Sequence, residues 1–600
     1  MQNTTGELTL EEIVGPGDDL AIHVVNLHRE WQQGKDRWLA ERREVLEYIF
    51  ATDTSGTANR TLPWKNSTHI PKICQIRDNL HANYMAAMFS NDRPYQWEGG
   101  SQDDETLDKR KIIESYMHNK MRRSNYLQTV SQLVLDYIDY GNVFATVESV
   151  YETRTDPDTG DQVPGYIGPK VVRINPADIV FNPAATDFQS TAKIIRSLNS
   201  LGSIKNMIET RPEMRYLEEV YDKMVSTRTR FGGISESDYV KDASFDMMGF
   251  QSWHQYFTSG YVEILDFYGD VYDPRTQELQ RNRAITVVDR QWVIRNVENP
   301  SWSTHAPIFH AGWRLRPDNL WAMGPLDNLL GMQYRIDHLE NAKADGLDLI
   351  IHPVMKITGY VEEFDYGPGA KIHVGDEGDV NFMPPDTTML TADTQIAMYE
   401  NKMEEMAGAP RQAMGFRTPG EKTKYEVQVL ENGANRVFVN KTAHFEQAFI
   451  EPLINAMLIS ARQNVQYADI IRVIDDDTGA VEFLNVTKED LTATGKLYPI
   501  GSRHFQRDAN TLQSLTALSG SPLMQDPSVK AHISGYAVAK LIEQLVGVDR
   551  FDIVQKNVGV VEAAETQQAM QAAQQVVGEQ SAARQGPPVA APQEQGTPPQ

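Results

Sequence analysis

From Asp19 to Phe50 the apolar positions Leu27, Trp31, Trp38, Val45 and Ile49 recur near one stripe of an otherwise polar run. That period predicts an amphipathic helix packed on its own domain. A second helix is expected over Ile73 to Phe89, ended by the turn-forming residues Asn91 to Pro94. A third helical region runs from Leu107 to Tyr140 with a break at Ser124 and Asn125, and places Leu127, Val130, Val134 and Ile138 at helical spacing. Gly141 and Asn142 supply its stop, because either residue visits the left-handed conformation. The period then shortens: Val143 to Tyr151 and Gly168 to Ile174 read as strands around a polar connection, and Asp178 to Phe181 adds a short strand. Helices followed by a small sheet predict an α+β fold.

Between Ser190 and Met247 the pattern predicts mainly helix, first over Ala192 to Leu198 and then over Ser203 to Glu209. A polar segment opens at Arg211 and Pro212, and Thr227 to Phe245, rich in Gly, Ser and Asp, reads as a loop. Tyr261 to Tyr268 and Ala284 to Val297 have strand composition and suggest a compact insert, followed by an irregular aromatic stretch from Asn299 to Pro317. Leu326 to Ile350 is helical, with Leu330, Tyr334, Leu339 and Leu347 as its stripe; short strands and glycine turns follow over Pro353 to Val380, then a helix over Asp393 to Met406.

Gly408 to Gly420 holds three glycines and two prolines, a density that interrupts helix. A long helical stretch is expected behind it, from about Glu421 to Arg462. Phe445, Phe449, Leu453 and Met457 lie four apart there, and Ile450, Ile454 and Leu458 widen the face. Pro452 inside that stretch removes a backbone donor and predicts a kink or restart.

Composition narrows the function more than it names it. The chain has 600 residues and a formal charge of -25, which argues against a general electrostatic clamp on nucleic acid but allows an acidic wall along which DNA slides. One cysteine, Cys74, excludes an internal disulfide framework and any multi-cysteine metal site; as a residue of a predicted helix it is expected in core packing. The opening residues have neither the basic nor the apolar run of a secretory signal, and no apolar run approaches bilayer length.

Catalytic signatures are lacking. Gly415 to Thr423 approaches the phosphate-cradling pattern G-x-x-x-x-G-K-T, but Glu421 is inserted before Lys422 and puts a carboxylate where the lysine belongs. There is no H-E-x-x-H and no G-x-S-x-G, and His305 and His310 read as loop histidines. Asp475 to Asp477 resembles a Mg²⁺-holding cluster, yet lies between Ile471–Ile474 and Val481–Leu484 as the turn of a hairpin. The basic residues Lys109 to Lys111, Arg122 and Arg123 read as a solvated face, and Trp292, Trp302 and Trp313 as packing or subunit contacts. No catalytic residue, cofactor or metal ligand is therefore expected, and the chain is not expected to be an enzyme.

Three blocks, taken in order, carry a resemblance: KIIESYMHNKMRRSNYLQTVSQLVLDYIDYGNVFATVES (Lys111 to Ser149), VVRINPADIVFNP (Val171 to Pro183) and GFRTPGEKTKYEVQVLENGANRVFVN (Gly415 to Asn440). Over roughly Asp19 to Arg550 the chain resembles the portal proteins, or head-to-tail connectors, of tailed bacteriophages, of the short-tailed type. None of the blocks is a catalytic motif, so the resemblance rests on their order.

It implies an elongated multidomain α+β subunit that self-associates into a ring, usually of twelve, around a double-stranded DNA channel used in genome packaging and ejection. The implied regions are wing and first stem over 1–250, a strand-rich clip over 251–322 and a second stem helix over 323–350. Wing with the channel loop 408–420 and its long helix would occupy 351–505, and a helical crown 506–561. Arg417 and Lys422 become the expected DNA-channel contacts. Implied partners are the terminase large subunit, a head-completion or tail-adaptor protein, and capsid and scaffolding proteins; the implied place is the portal vertex of the virion, reached from the host cytoplasm during assembly. The Ala/Gln-rich and then Pro/Gly/Gln-rich residues 562–600 are expected to be partly disordered. Two alternatives stay open: another capsid-associated ring adaptor, and a metal-dependent packaging nuclease using Asp475 to Asp477.

Overall fold

The computed structural model describes residues 18–500 except 51–68, 90–93, 100–103, 211–213, 232–259, 274–276, 364–370, 384–390, 409–436, 465–468, 475–480 and the single positions 156, 158, 159, 183, 302, 352 and 493. The chain divides into two units, one of residues 1–471 with 484–503 and one of 472–483 with 504–600. The fold described is that of the first unit. The second contributes only the facing strand segments 472–474 and 481–483, and the segments expected as crown and tail lie outside the described residues.

Helix α1 (Asp19–Ile49) spans the expected range. Helix α2 (Lys72–Met88) leads to strand β1 (Tyr95–Gly99), followed by α3 (Asp104–Arg123) and α4 (Tyr126–Asp139). The break between α3 and α4 falls where Asn125 adopts φ 54°, a left-handed conformation that asparagine tolerates. Gly141 then turns the chain into the sheet at φ 67°; a Cβ there would stand 2.3 Å from the backbone nitrogen of Gly324, so both the turn and the close approach require glycine.

Strands β2 (Asn142–Thr155) and β3 (Gln162–Ile174) form an antiparallel hairpin, and β9 (Ile308–Gly312) joins β2 on its other edge. The second sheet is five-stranded and antiparallel, in the order β4 (Ile179–Phe181), β5 (Lys193–Ser200), β6 (Tyr261–Asp273), β7 (Glu278–Val288), β8 (Trp292–Glu298). Residues Ala192 to Leu198, expected as helix, are corrected to strand β5. The β-branched Ile194 and Ile195 favour the pleated conformation, and the segment pairs along its length with β6 while β4 takes its other edge. The 261–298 strands thus complete a sheet begun by β4 and β5, so its core crosses the boundary drawn at residue 250.

Period 2 along β6 explains how both faces of this sheet are covered. Leu265 and Phe267 pack with Ala21, Val24 and Val25 of α1, whereas Val262 and Ile264 pack with residues of α5 (Leu201–Thr210) and α6 (Glu218–Phe231). The loop expected from Thr227 is corrected at its start, because α6 continues through Phe231. Between the two sheets lies an aromatic cluster in which Trp321 sits 4.4 Å from Trp38 and 4.6 Å from Phe181, ring centre to ring centre.

The buried stripe of α1 also holds His28, Lys35 and Arg42, seven residues apart. Lys35 is wholly buried and its Nζ donates to the carbonyls of Ala177 (2.6 Å) and Ile179 (2.9 Å), 5.0 Å from the Trp321 ring centre. Burial pulls its ammonium down to about 7. Arg42 pairs with the buried Asp327. Burial, helped by Arg290, lowers His28 to about 4, so it is neutral at pH 7.

Beyond β9 come β10 (Arg314–Arg316), β11 (Asn319–Met323), helix α7 (Leu330–Ile351), β12 (Met355–Thr358), β13 (Asp379–Phe382) and α8 (Ala392–Ala407). A helix resumes at 437 and runs to 464, with α9 (Glu451–Asn464) as its second part. The disturbance expected at Pro452 is a π-helical turn over Glu446–Ile450: widening the turn relieves the clash of the proline ring with the turn before it. Phe445, Phe449, Leu453 and Met457 are all buried, as their spacing predicts, and the helix packs on β2 and β3. Strands β14 (Asp469–Ile474) and β15 (Val481–Val486) form the expected hairpin, a short α10 (Lys488–Leu491) follows, and β16 (Gly495–Pro499) pairs with β1.

Candidate functional site

Arg417 and Lys422 lie outside the described residues, as do positions 409–420 of the expected channel loop and the helical stretch expected over 421–436. What the fold fixes is their base. Helix α8 stops at Gly408, whose φ of 74° lets its N–H reach back to the carbonyls of Glu404 and Glu405. A Cβ on Gly408 would stand 3.6 Å from Cγ1 of Val437, where helix resumes. Segment 409–436 therefore leaves and re-enters the described structure at one point.

That base is held firmly. Lys72 at the start of α2 pairs with Glu404 at 2.8 Å, both side chains buried. Gln333 near the start of α7 donates to the carbonyl of Ile70 (2.6 Å) and accepts from the Ile73 N–H (3.3 Å), and Asp337 lies 2.8 Å from His69 Nδ1. The start of α7 and the end of α8 thus dock on the same end of α2. Midway along α7, Lys343 meets Asp393 at the start of α8 (2.6 Å), so the two helices run antiparallel.

The other end of this pair exposes apolar side chains. The stripe expected on α7 from Leu330, Tyr334, Leu339 and Leu347 is corrected: the buried residues are Gln333, Ile336 and Gly346, and Tyr334 and Leu347 are exposed. Leu349, Ile350 and Ile351 end the helix exposed, Ile351 at 64%. Among the described residues the strands β12 and β13 pair only with each other, and Val354, Ile357, Tyr360 (79%), Phe382 and Met383 are exposed on and around them. A two-stranded sheet of this length is marginal alone, and each such apolar side chain would gain about 1.5–3 kcal/mol on full burial. Sequence pattern does not disclose this surface, because a hydrophobic stripe looks the same whether its cover lies in the same chain or in another.

A second feature adjoins the base of segment 409–436. Lys441, one turn after Val437, donates from Nζ to the backbone carbonyl of Trp313 and lies 4.6 Å from the centre of its ring. The Arg314 guanidinium lies 5.2 Å from the same ring, and His444 donates to the carbonyl of Gly312. Trp313 itself is buried and anchored through Nε1 to the Tyr84 hydroxyl (3.2 Å). Burial and then Arg314 lower the Lys441 ammonium; burial and then Lys441 lower His444. The only sequence sign of this cluster is the WRLR run at 313–316; nothing in the pattern links it to Lys441, more than a hundred residues on.

The remaining candidates resolve into structure. Trp292 is buried in the sheet core, as packing predicts, and Trp302 lies outside the described residues. His310 is half-buried, stacked on the Phe144 ring (4.7 Å) and bonded to Asn142, with desolvation lowering it to about 3, whereas His305 is exposed. Cys74 is corrected from core to half-exposed; burial and Asp78 raise its thiol, the opposite of an activated nucleophile. Arg110 pairs with Glu114 in the basic run of α3, and Arg123 donates to the Gly165 carbonyl. Asp475 to Asp477 lie outside the described residues; among the described ones no group of three His, Cys, Asp or Glu is placed to hold a metal ion, and no helix is long and apolar enough to cross a membrane. Neither protein-family models nor curated proteins give a match to this chain.

Proposed function

We propose that this chain is a ring-forming portal subunit at the capsid vertex of a tailed bacteriophage, enclosing the DNA channel and offering the docking surface for the terminase large subunit and for head-completion or tail-adaptor proteins. The observation that carries this reading is the α7–β12–β13–α8 region, anchored at one end and, among the described residues, rich in exposed apolar side chains at the other. Copies of the same chain arranged around an axis cover such a surface without any further partner. The anchored base also supports segment 409–436, which carries Arg417 and Lys422, the candidate channel contacts.

In this reading the docking role moves along the chain. Residues 251–322, to which the resemblance assigns the clip, supply β6 to β8 of the five-stranded sheet and β9 of the three-stranded one. The exposed β12–β13 pair is better suited to meet a terminase or adaptor. Electron cryo-microscopy and native mass spectrometry of the purified full chain test the proposal: a closed ring with an axial passage is expected, and a protein that stays monomeric through concentration and size-exclusion sinks it.

A further inference from the structure

We propose that Arg314, Lys441 and His444, grouped around Trp313, form a seat for a phosphodiester oxygen of double-stranded DNA at the base of segment 409–436. The inference rests on the portal reading only for the identity of the phosphate bearer. Three features of the cluster support it.

The first is uncompensated charge. In a chain of net charge -25, several cations elsewhere bond a carboxylate: Arg77 bonds Asp139, Arg173 bonds Asp136, Arg228 bonds Asp289, and Arg196 and Arg290 share Glu263, while the buried Lys35 and Lys193 stand singly on backbone carbonyls. Among the described residues, by contrast, no carboxylate acts on Lys441 or His444; each is acted on by another cation. An anion brought to this place relieves that repulsion, which an ordinary solvated lysine does not offer.

The second is preorganisation. Lys441 and Arg314 both lie over a tryptophan fixed by Tyr84, and Lys441 is tied to the Trp313 carbonyl. Little side-chain freedom remains to be lost on binding. The third is access and position. Arg314, Lys441 and His444 are half-buried rather than enclosed, and Arg316 on the same short strand is exposed. The seat lies one helical turn from Val437, where the described structure resumes after segment 409–436.

The test uses the full-length assembled protein and a labelled DNA duplex, with affinity followed by fluorescence anisotropy across a salt series. Each of Arg314→Gln and Lys441→Gln is expected to lower the slope of log affinity against log salt by roughly 0.9, the value for one lost phosphate contact. Arg314→Lys should keep the slope, and Arg37→Gln, an arginine exposed at 93% on α1, should leave it unchanged. Should Lys441→Gln fail to fold, Arg314→Gln on the short β10–β11 hairpin still decides. Slopes equal to that of the unsubstituted protein in both Gln variants overturn the seat while leaving the portal reading intact, and so does a ring that forms but has no affinity for duplex. Inorganic phosphate that raises the melting temperature relative to chloride at matched ionic strength, with the DNA slopes unmoved, marks a small-anion site and overturns the DNA assignment. Failure of the portal reading is read separately, from the absence of rings in micrographs.

Discussion

Helices α1 and α7 belong to the same unit and invert each other's chemistry. On α1 the buried stripe includes His28, Lys35 and Arg42, whereas on α7 the exposed end consists of Leu347, Leu349, Ile350 and Ile351. Residue type does not decide which side chain is inside; available partners do. Lys35 is buried because two carbonyls and the Trp321 ring receive it, and Arg42 because Asp327 does. The aliphatic end of α7 is exposed because nothing among the described residues covers it.

Removing a partner on α1 should give the largest effect. Arg42→Ala leaves Asp327 as an uncompensated buried carboxylate and is expected to cost about 3–5 kcal/mol in a denaturant titration. The paired replacement Arg42→Met with Asp327→Leu should recover most of that loss, since two apolar groups need no charge compensation.

The pH response of Lys35 sharpens the same point at smaller cost. Its folded pKa, about 7, lies below the ordinary lysine value of 10.5, so between these limits the unfolded chain binds the extra proton. The penalty of burying the charge is complete below pH 7 and is relieved as pH rises toward 10.5. Stability should therefore gain up to about 1.4 kcal/mol per pH unit in that window from this group. Lys35→Met should flatten the rise, and the difference between the two unfolding series isolates Lys35 from other titrating groups.

Substitutions on α7 should barely affect folding. Ile350→Ser and Ile351→Ser, on the exposed end, are expected to change unfolding free energy by less than about 0.5 kcal/mol. Their effect should appear in assembly, as a shift from ring toward monomer in sedimentation velocity. A large loss of stability with assembly intact would mean that this region is covered within its own chain.

Local pattern carries much of the fold. The boundaries of α1 and α2, the break at Asn125, the turn at Gly141, the β2–β3 hairpin and the apolar face from Phe445 to Leu458 all follow from period, capping and turn chemistry. Strand β5 departs from its helical expectation because Ile, Arg and Leu at 194–198 suit either period over so short a run, and only pairing with β4 and β6 decides between them. The candidate site is less legible. Its expected contacts Arg417 and Lys422 fall outside the described residues, and the cluster at Trp313 joins residues far apart in the chain.

By itself the sequence determined most of the elements, because helix and strand periods, glycine turns and the proline at 452 act over a few neighbouring residues. Tertiary structure alone decided which faces are covered. It brought Lys35 to the carbonyls of Ala177 and Ile179, brought Lys441 to Trp313, and left the end of α7 uncovered. The physical reason is that burial and charge pairing depend on what lies across a contact, and no local pattern encodes a neighbour that is distant in the chain or belongs to another copy.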